Sequence, residues 1–434
     1  MGRAGPVTVA LVGAGQRGDD VYGRYILAHP RSARVVAVAE PNPARRAAAG
    51  RAHGVPSTRL FPSWDDLLSR GQLAEALIVA TPDNLHAEPA LAALERGYHV
   101  LLEKPIATSR EDLLRLREAA YRSSGSVTVA HVLRYTPFFR TVKDLLDQGA
   151  VGQLVSVIHV ENIGYWHFAH SYVRGHWRRA DRACPLVLAK ACHDLDLLGW
   201  FVGSNCQSVR SVGSLTFFRP ENAPPAATER CTDPCPHEPA CPYSAVEIYL
   251  RRFGEDRGWP GSVISPDPAA RASVLAQSPY SRCVFRCDND VPDQQVVVME
   301  FERGVVATLV VSAFTAENTR TVKLMGTHGE IRGHLGRGEV SVLPFSRLPP
   351  RRFRTPACGG HAGGDDGLMV AFLKRVREAR VGPVPPPLTS LDASLASHLW
   401  ALAAEEARIS GKVVNLGDWM PLTPRQDPPA ARRQ

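Results

Sequence analysis

The chain of 434 residues contains no apolar run long enough to cross a bilayer; its longest are the length of a strand. No basic segment followed by an apolar core stands at its start, so no secretory signal is expected and the cytoplasm is the expected compartment. Lysine is scarce beside arginine, and the net charge is +8. Arginine is spread along the chain, with local concentrations only at residues 347–354 and in the terminal RRQ. Pro-rich basic stretches of this kind read as solvated tails, so neither nucleic acid nor a membrane is an expected partner. A disulfide framework is also lacking. Nine cysteines fit poorly with disulfides in a cytosolic chain, and Cys184, Cys192, Cys206 and Cys358 stand apart from the rest. No internal repeat is present. Residues 416–434 are too polar and proline-rich to pack, and a disordered tail is expected there.

What is present begins at residue 7. The β-branched run VTVALV is followed by glycines at 13, 15 and 18, a dinucleotide fingerprint placed between a predicted strand and a predicted helix. Gly13 permits the tight turn, Gly15 lets the backbone approach a pyrophosphate, and Gly18 lets the helix sit close on its strand. Ala14, Gln16 and Arg17 complete the loop, whose free N–H groups at a helix start suit phosphates. A second strand, ARVVAVAE, ends at Glu40, placed to accept hydrogen bonds from an adenosine ribose. Glu40 favours NAD over NADP, while Arg45 and Arg46, a turn later, offer the competing 2′-phosphate partners.

Strand and helix signals alternate up to about residue 130, with buried-strand runs at 75–81, 98–105 and 126–132. That alternation means right-handed βαβ units and a parallel sheet covered on both faces. Beyond residue 133 the pattern changes to longer strands at 152–164, 206–218, 293–314 and 320–335, with a hairpin at 302–304 and helices at 138–148, 186–202, 367–379 and 390–411. The expected architecture is α/β: a Rossmann doubly wound parallel sheet over residues 1–132, then an α+β domain over 133–415 with one open, mostly antiparallel sheet. A Cys- and Pro-rich insertion at 219–290 interrupts that second domain.

The segment TPDNLHAEPALAALERGYHVLLEKPIATS, residues 81–109, resembles the Gfo/Idh/MocA oxidoreductase family, and the likeness extends over nearly the whole chain. The resemblance implies that Thr81, Pro82 and His86 lie near the nicotinamide, and that Glu103, Lys104 and Pro105 form the motif supplying a catalytic lysine. Both segments stand at the carboxyl ends of strands, where open α/β sheets bind ligands. A lysine there can stabilise an alkoxide developing as hydride leaves. A cis bond at 104–105 would fix its direction.

PLVLAKACHDLDLLGW, residues 185–200, matches the family's helix with a histidine base at His193. The family places an acid four residues earlier; here Ala189 stands there. Lys190, His193 and Asp194 share helical spacing, and Lys190 or Asp194 is expected to stand in for the missing acid. The aromatic segment 161–179 suits a carbohydrate pocket through Tyr165, His167, His170, Arg174 and Trp177. The resemblance adds Arg134, His361 and Asp365 at the mouth of the site. Cys231, Cys235 and Cys241, with His237 among them and Cys283 or Cys287 returning as a fourth ligand, read as a candidate structural zinc site; free thiols or a disulfide are the alternatives.

The expected activity is NAD(P)-dependent hydride transfer at a secondary hydroxyl of a sugar, glycoside or cyclitol. Two alternatives use the same parts: a glycoside hydrolase that cycles a bound NAD through oxidation, elimination, hydration and reduction, and a silent sensor of cofactor or sugar. A homodimer or homotetramer is expected from the resemblance.

Overall fold

The computed structural model describes residues 5–356 and 360–419; Cys358 and the predicted tail from residue 420 lie outside them. Six short apolar strands form the first sheet: β1 (Val7–Val12), β2 (Ala33–Ala39), β3 (Leu60–Phe61), β4 (Ala76–Val79), β5 (His99–Leu102) and β6 (Ser126–Val129). Their order is β3-β2-β1-β4-β5-β6, and every pairing is parallel. Strands buried on both faces explain the near-continuous Val, Ile, Leu and Ala runs. The order reverses between β1 and β4, which opens a crevice beyond the carboxyl ends of those strands.

The second sheet has nine strands: β7 (Leu154–Asn162), β8 (Cys206–Ser214), β9 (Gln294–Phe301), β10 (Val306–Ser312), β11 (Thr319–Gly326), β12 (Gly329–His334), β13 (Glu339–Pro344), β14 (Arg351–Arg354) and β15 (Val414–Asn415). Its order is β14-β13-β12-β11-β7-β10-β9-β8-β15, antiparallel except for the parallel pair β7 and β10. The tight β9–β10 connection runs through Glu302–Gly304, with Arg303 in the left-handed region at φ 65°. Alternating burial along β9 and β10 turns one face onto the helices.

Three expectations are corrected here. The basic stretch at 347–354 is no tail, because Arg351–Arg354 pairs with β13 as the sheet's edge, and charge suits an edge strand. The single helix expected over 186–202 is two, Leu186–Ala189 and Cys192–Val202, broken at Lys190 and Ala191. The start of the range expected to be a tail is ordered, since Leu416–Asp418 forms a 3-10 turn and Leu416 is buried.

The domains share their core. Helix Leu391–Ser410 sets Leu391, Leu395 and Leu399 among the Rossmann side chains and Trp400, Ala401 and Ala404 among those of the second domain. That shared helix holds the two walls of the crevice in register.

Candidate active site

The glycine loop closes for the reasons its spacing predicts. Gly13 has φ +89°, and a Cβ there would fall 2.4 Å from the Ala80 carbonyl oxygen; one on Gly18 would fall 1.9 Å from the Gly13 carbonyl oxygen. Gly15 differs, since a Cβ there would meet nothing within 4 Å. Its open surface is what a pyrophosphate would need, so the loop fits a dinucleotide. Glu40, buried at the end of β2, accepts from the N–H of Ala14 at 2.8 Å and of Asn42 at 2.9 Å. Arg46 donates to the Glu40 carbonyl, whereas Arg45 is exposed.

Arg17 does not wait free for a phosphate. Its guanidinium donates to Glu103 at 2.6 Å and to Asp365 at 2.9 Å, and so ties the loop to both domains. Glu103 also accepts from the Tyr22 hydroxyl and from the Lys104 N–H. Burial opposes its ionisation, but Arg17 and Lys104 outweigh burial and hold its carboxyl below the usual range. His361 lies 2.9 Å from the other Asp365 oxygen. Against burial, His361 and Arg17 hold the Asp365 carboxyl well below the usual range too.

Beyond the strand ends lies a cavity of about 590 Å³ lined from both domains, including Gln16, Arg17, Thr81, Pro82, His86, Glu103, Lys104, Lys190, His193 and His361. The Lys104–Pro105 bond is cis. Lys104 Nζ donates to the Ala189 carbonyl oxygen at 2.9 Å. His86 is a brace: its ring nitrogens lie 2.6 Å from the Pro105 carbonyl oxygen and 2.8 Å from that of Thr81.

His193 enters the cavity from the first turn of its helix, and its Nδ1 is buried without a partner. Burial, then Lys104 and His131, hold its pKa well below the usual imidazole value, so the ring is neutral. Lys190 sits at the break between the two helices, its Nζ 3.2 Å from Glu161 on β7. Asp194 faces away from the cavity. It accepts from Arg320 at 2.7 Å and lies 2.7 Å from His159 Nε2, fully buried, and is corrected from a candidate catalytic group to the anchor of Arg320.

The aromatic segment divides in the same way. His167 and Trp177 line the cavity; His167 Nδ1 lies 3.1 Å from Asn318 Oδ1, and the Trp177 indole donates to Asp83 at 2.5 Å. Tyr165, His170 and Arg174 lie behind it. Tyr165 accepts from Arg252, His170 meets the Tyr249 hydroxyl at 2.8 Å, and Arg174 donates to the carbonyls of Tyr243 and Arg282. Arg134 is also displaced from the expected role. It forms a two-pronged pair with Asp196, both bonds 2.7 Å, beside a separate 440 Å³ cavity. Tyr172, Trp259, Asn318 and Arg320 line the main cavity without having been singled out in the sequence. Tyr172 belongs to the aromatic segment 161–179, Trp259 to the Cys- and Pro-rich stretch and Arg320 to β11, and Asn318 directly precedes that strand; no local motif marks the last three.

Cys231, Cys235, Cys241 and Cys283 are free thiols lining one small cavity with His237. Among the described residues no three His, Cys, Asp or Glu side chains already stand in metal-ligand geometry. No helix among the described residues is long and apolar enough to cross a membrane.

Two family models match, the NAD-binding Rossmann fold of an oxidoreductase family over residues 7–131 and that family's C-terminal alpha/beta domain over residues 143–349. The chain belongs to the Gfo/Idh/MocA oxidoreductase family. Putative oxidoreductase YteT of Bacillus subtilis is 27% identical over 323 residues, 70% of this chain and 73% of that protein. Inositol 2-dehydrogenase 2 of Saccharopolyspora erythraea is 30% identical over 202 residues; the match covers 45% of this chain and 54%, about half, of that enzyme. Levoglucosan dehydrogenase, solved with NADH and levoglucosan, superposes with a TM-score of 0.69 at 21% identity, over 95% of this chain and 100% of that one. The Gfo/Idh/MocA chain is thus an NAD-binding oxidoreductase, with the crevice and cavity at the place its fold predicts.

Proposed function

We propose that this oxidoreductase transfers hydride between a secondary hydroxyl of a sugar, glycoside or cyclitol and NAD. The observation that carries the reading is the meeting, in one cavity beside the Gly15 loop, of the Lys104 amine and the neutral His193 ring. The inositol dehydrogenases among its relatives and the levoglucosan dehydrogenase among its structural neighbours support the substrate class.

The dinucleotide, held by the Gly13–Gly18 loop and Glu40, supplies the hydride acceptor when bound. His193 takes the hydroxyl proton. Lys104, steered by the Ala189 carbonyl, donates to the substrate oxygen and favours the charge developing there. Lys190, anchored on Glu161, and His167 offer partners for neighbouring hydroxyls. Trp177, Tyr172 and Trp259 supply apolar faces for a ring. Glu40 supports NAD over NADP, because its buried carboxylate stands where a 2′-phosphate would be repelled.

A panel of cyclitols, aldoses and anhydrosugars assayed together for NADH absorbance and product mass tests this reading. One equivalent of NADH per oxidised product, with any glycosidic bond intact, is expected. Release of an aglycone without NADH would overturn it in favour of redox-neutral hydrolysis.

A further inference from the structure

We propose that Cys231, Cys235, Cys241 and Cys283 bind one structural zinc ion, and that Arg174 supplies the positive charge beside it. The insertion is built to bring these thiols together. An antiparallel bridge between Arg230 and Arg282 sets Cys231 and Cys283 on one face, diagonal to each other across the two segments, with Cys231 N–H donating to the Ser281 carbonyl at 2.7 Å and Cys283 N–H to the Glu229 carbonyl at 2.9 Å. Cys235 and Cys241 stand on either side of the 3-10 turn Glu238–Ala240 in sequence and line the same cavity. The four thiols line one cavity of about 30 Å³, a volume on the scale of one small bound species, with no three of them yet at metal-ligand distances.

Arg174 is the second, independent observation. Its side chain is buried, and the partners of its guanidinium are two carbonyls and a thiol rather than a carboxylate. It donates to two main-chain carbonyls and, at 3.5 Å, to Cys231 Sγ, while its remaining terminal nitrogen has no partner. A buried guanidinium without a counter-ion is costly. A tetrathiolate zinc centre carries two negative charges and would supply one. The ion would displace the thiol protons and draw the sulfurs inward from their present positions.

The centre also reaches the candidate active site, a consequence that rests on the function proposed above. Arg174 ends the segment Ala169–Arg174 that carries Tyr172 into the main cavity, and the insertion contributes Trp259. Zinc would therefore fix one wall of the substrate cavity while leaving the Gly13–Gly18 loop untouched.

The test uses the full-length reduced protein. Elemental analysis should find one zinc per chain, and X-ray absorption should find four sulfurs at about 2.3 Å. Cys231→Ser should lose the metal, and Arg174→Met should weaken zinc retention against a chelator by about 10–100-fold. Because the wild-type measurements stand alone, a misfolded Cys231→Ser does not blunt the test. A chain that is isolated without zinc and takes up none from zinc sulfate, that carries iron instead, or whose four cysteines prove disulfide-bonded would overturn the proposal. None of these outcomes depends on finding the substrate.

Discussion

The Lys104 amine is held 2.9 Å from the carbonyl oxygen of Ala189, the position where the family pattern expects an acid. A main-chain carbonyl thus takes up the orienting contact with the lysine, and it does so because the helix breaks at Lys190 and leaves that region of backbone facing the cavity. Lys104→Met removes the donor while keeping most of the side-chain volume. We expect kcat to fall by about 10²–10⁴-fold. NAD affinity, measured by fluorescence titration, should change little. A variant with near wild-type turnover would remove Lys104 from the chemistry.

Asp194 and Lys190 separate positioning from contact with substrate. Asp194 is fully buried and bound to Arg320 and His159, so Asp194→Asn leaves a buried guanidinium short of charge. Breaking a buried pair from one side costs about 3–5 kcal/mol. Glu161, also within 2.6 Å of Arg320, should reduce that cost. The expected result is a lowered urea midpoint with a modest loss of kcat. For Lys190→Ala the order should reverse, with KM rising more than stability falls.

How far such a site can be read from a chain alone depends on whether its signals are local. The Gly13–Gly18 loop and Glu40 are read from their spacing in a strand–turn–helix, and Lys104 and His193 from contiguous motifs that match the family; Lys104 and His193 both line the cavity, and Glu40 holds the loop. Arg134, expected at the site from the resemblance, and Arg174, expected there from its aromatic segment, carry no local sign of whether an arginine meets a substrate or a buried carboxylate or carbonyl. Only the tertiary fold decides, and it turned Arg134 onto Asp196 and Arg174 into the insertion. Trp259 and Arg320 carry no local mark, since they reach the cavity across long sequence separations. The short edge strand β14 carries no signal for a related reason: the run RRFR lacks the apolar stretch that announces an inner strand.

Arg17 joins Glu103 of the first domain to Asp365 of the second, across the mouth of the site. Asp365→Ala should release one side of that clamp and the His361 contact together. The expected cost is about 1–3 kcal/mol in unfolding free energy. Because Arg17 would keep Glu103 and Tyr22 as partners, the loop should stay in place, so NAD affinity should hold while KM for substrate increases. Isothermal titration and steady-state kinetics on the same preparation check both, and a parallel loss of both affinities would argue against a clamp.

Burial sets the pH response of the fold. The pKa of His170 and of His398 is pushed down to about 3, and His131 and His193 are lowered as well, all chiefly by desolvation. A neutral imidazole in the fold and a protonatable one in the unfolded chain mean that the unfolded state binds more protons below about pH 6.5. Stability should therefore be flat above that pH and decline as pH falls from about 6.5 toward 3, with a slope of up to about 1.4 kcal/mol per pH unit for each such histidine. Urea midpoints at pH 8, 7, 6 and 5 give the slope directly. A flat profile between pH 7 and 5 would mean that the rings are charged or solvated in the fold.

Glu40 should set the choice of dinucleotide. Its carboxylate is buried and accepts two main-chain N–H groups, one from Ala14 inside the glycine loop, so it shapes the loop, and on the function proposed above its charge would also repel a 2′-phosphate. These roles separate on substitution. Glu40→Gln keeps an acceptor but removes the charge, so NADP affinity should rise by about 10-fold or more, a gain of about 1.4 kcal/mol. Glu40→Ala removes both and should weaken NAD as well, because the Ala14 N–H loses its partner. Arg46, which holds the Glu40 carbonyl, and the exposed Arg45 are then the groups positioned to meet the added phosphate. Equal discrimination against NADP in wild type and Glu40→Gln, read from the two dissociation constants, would assign the preference to some other residue.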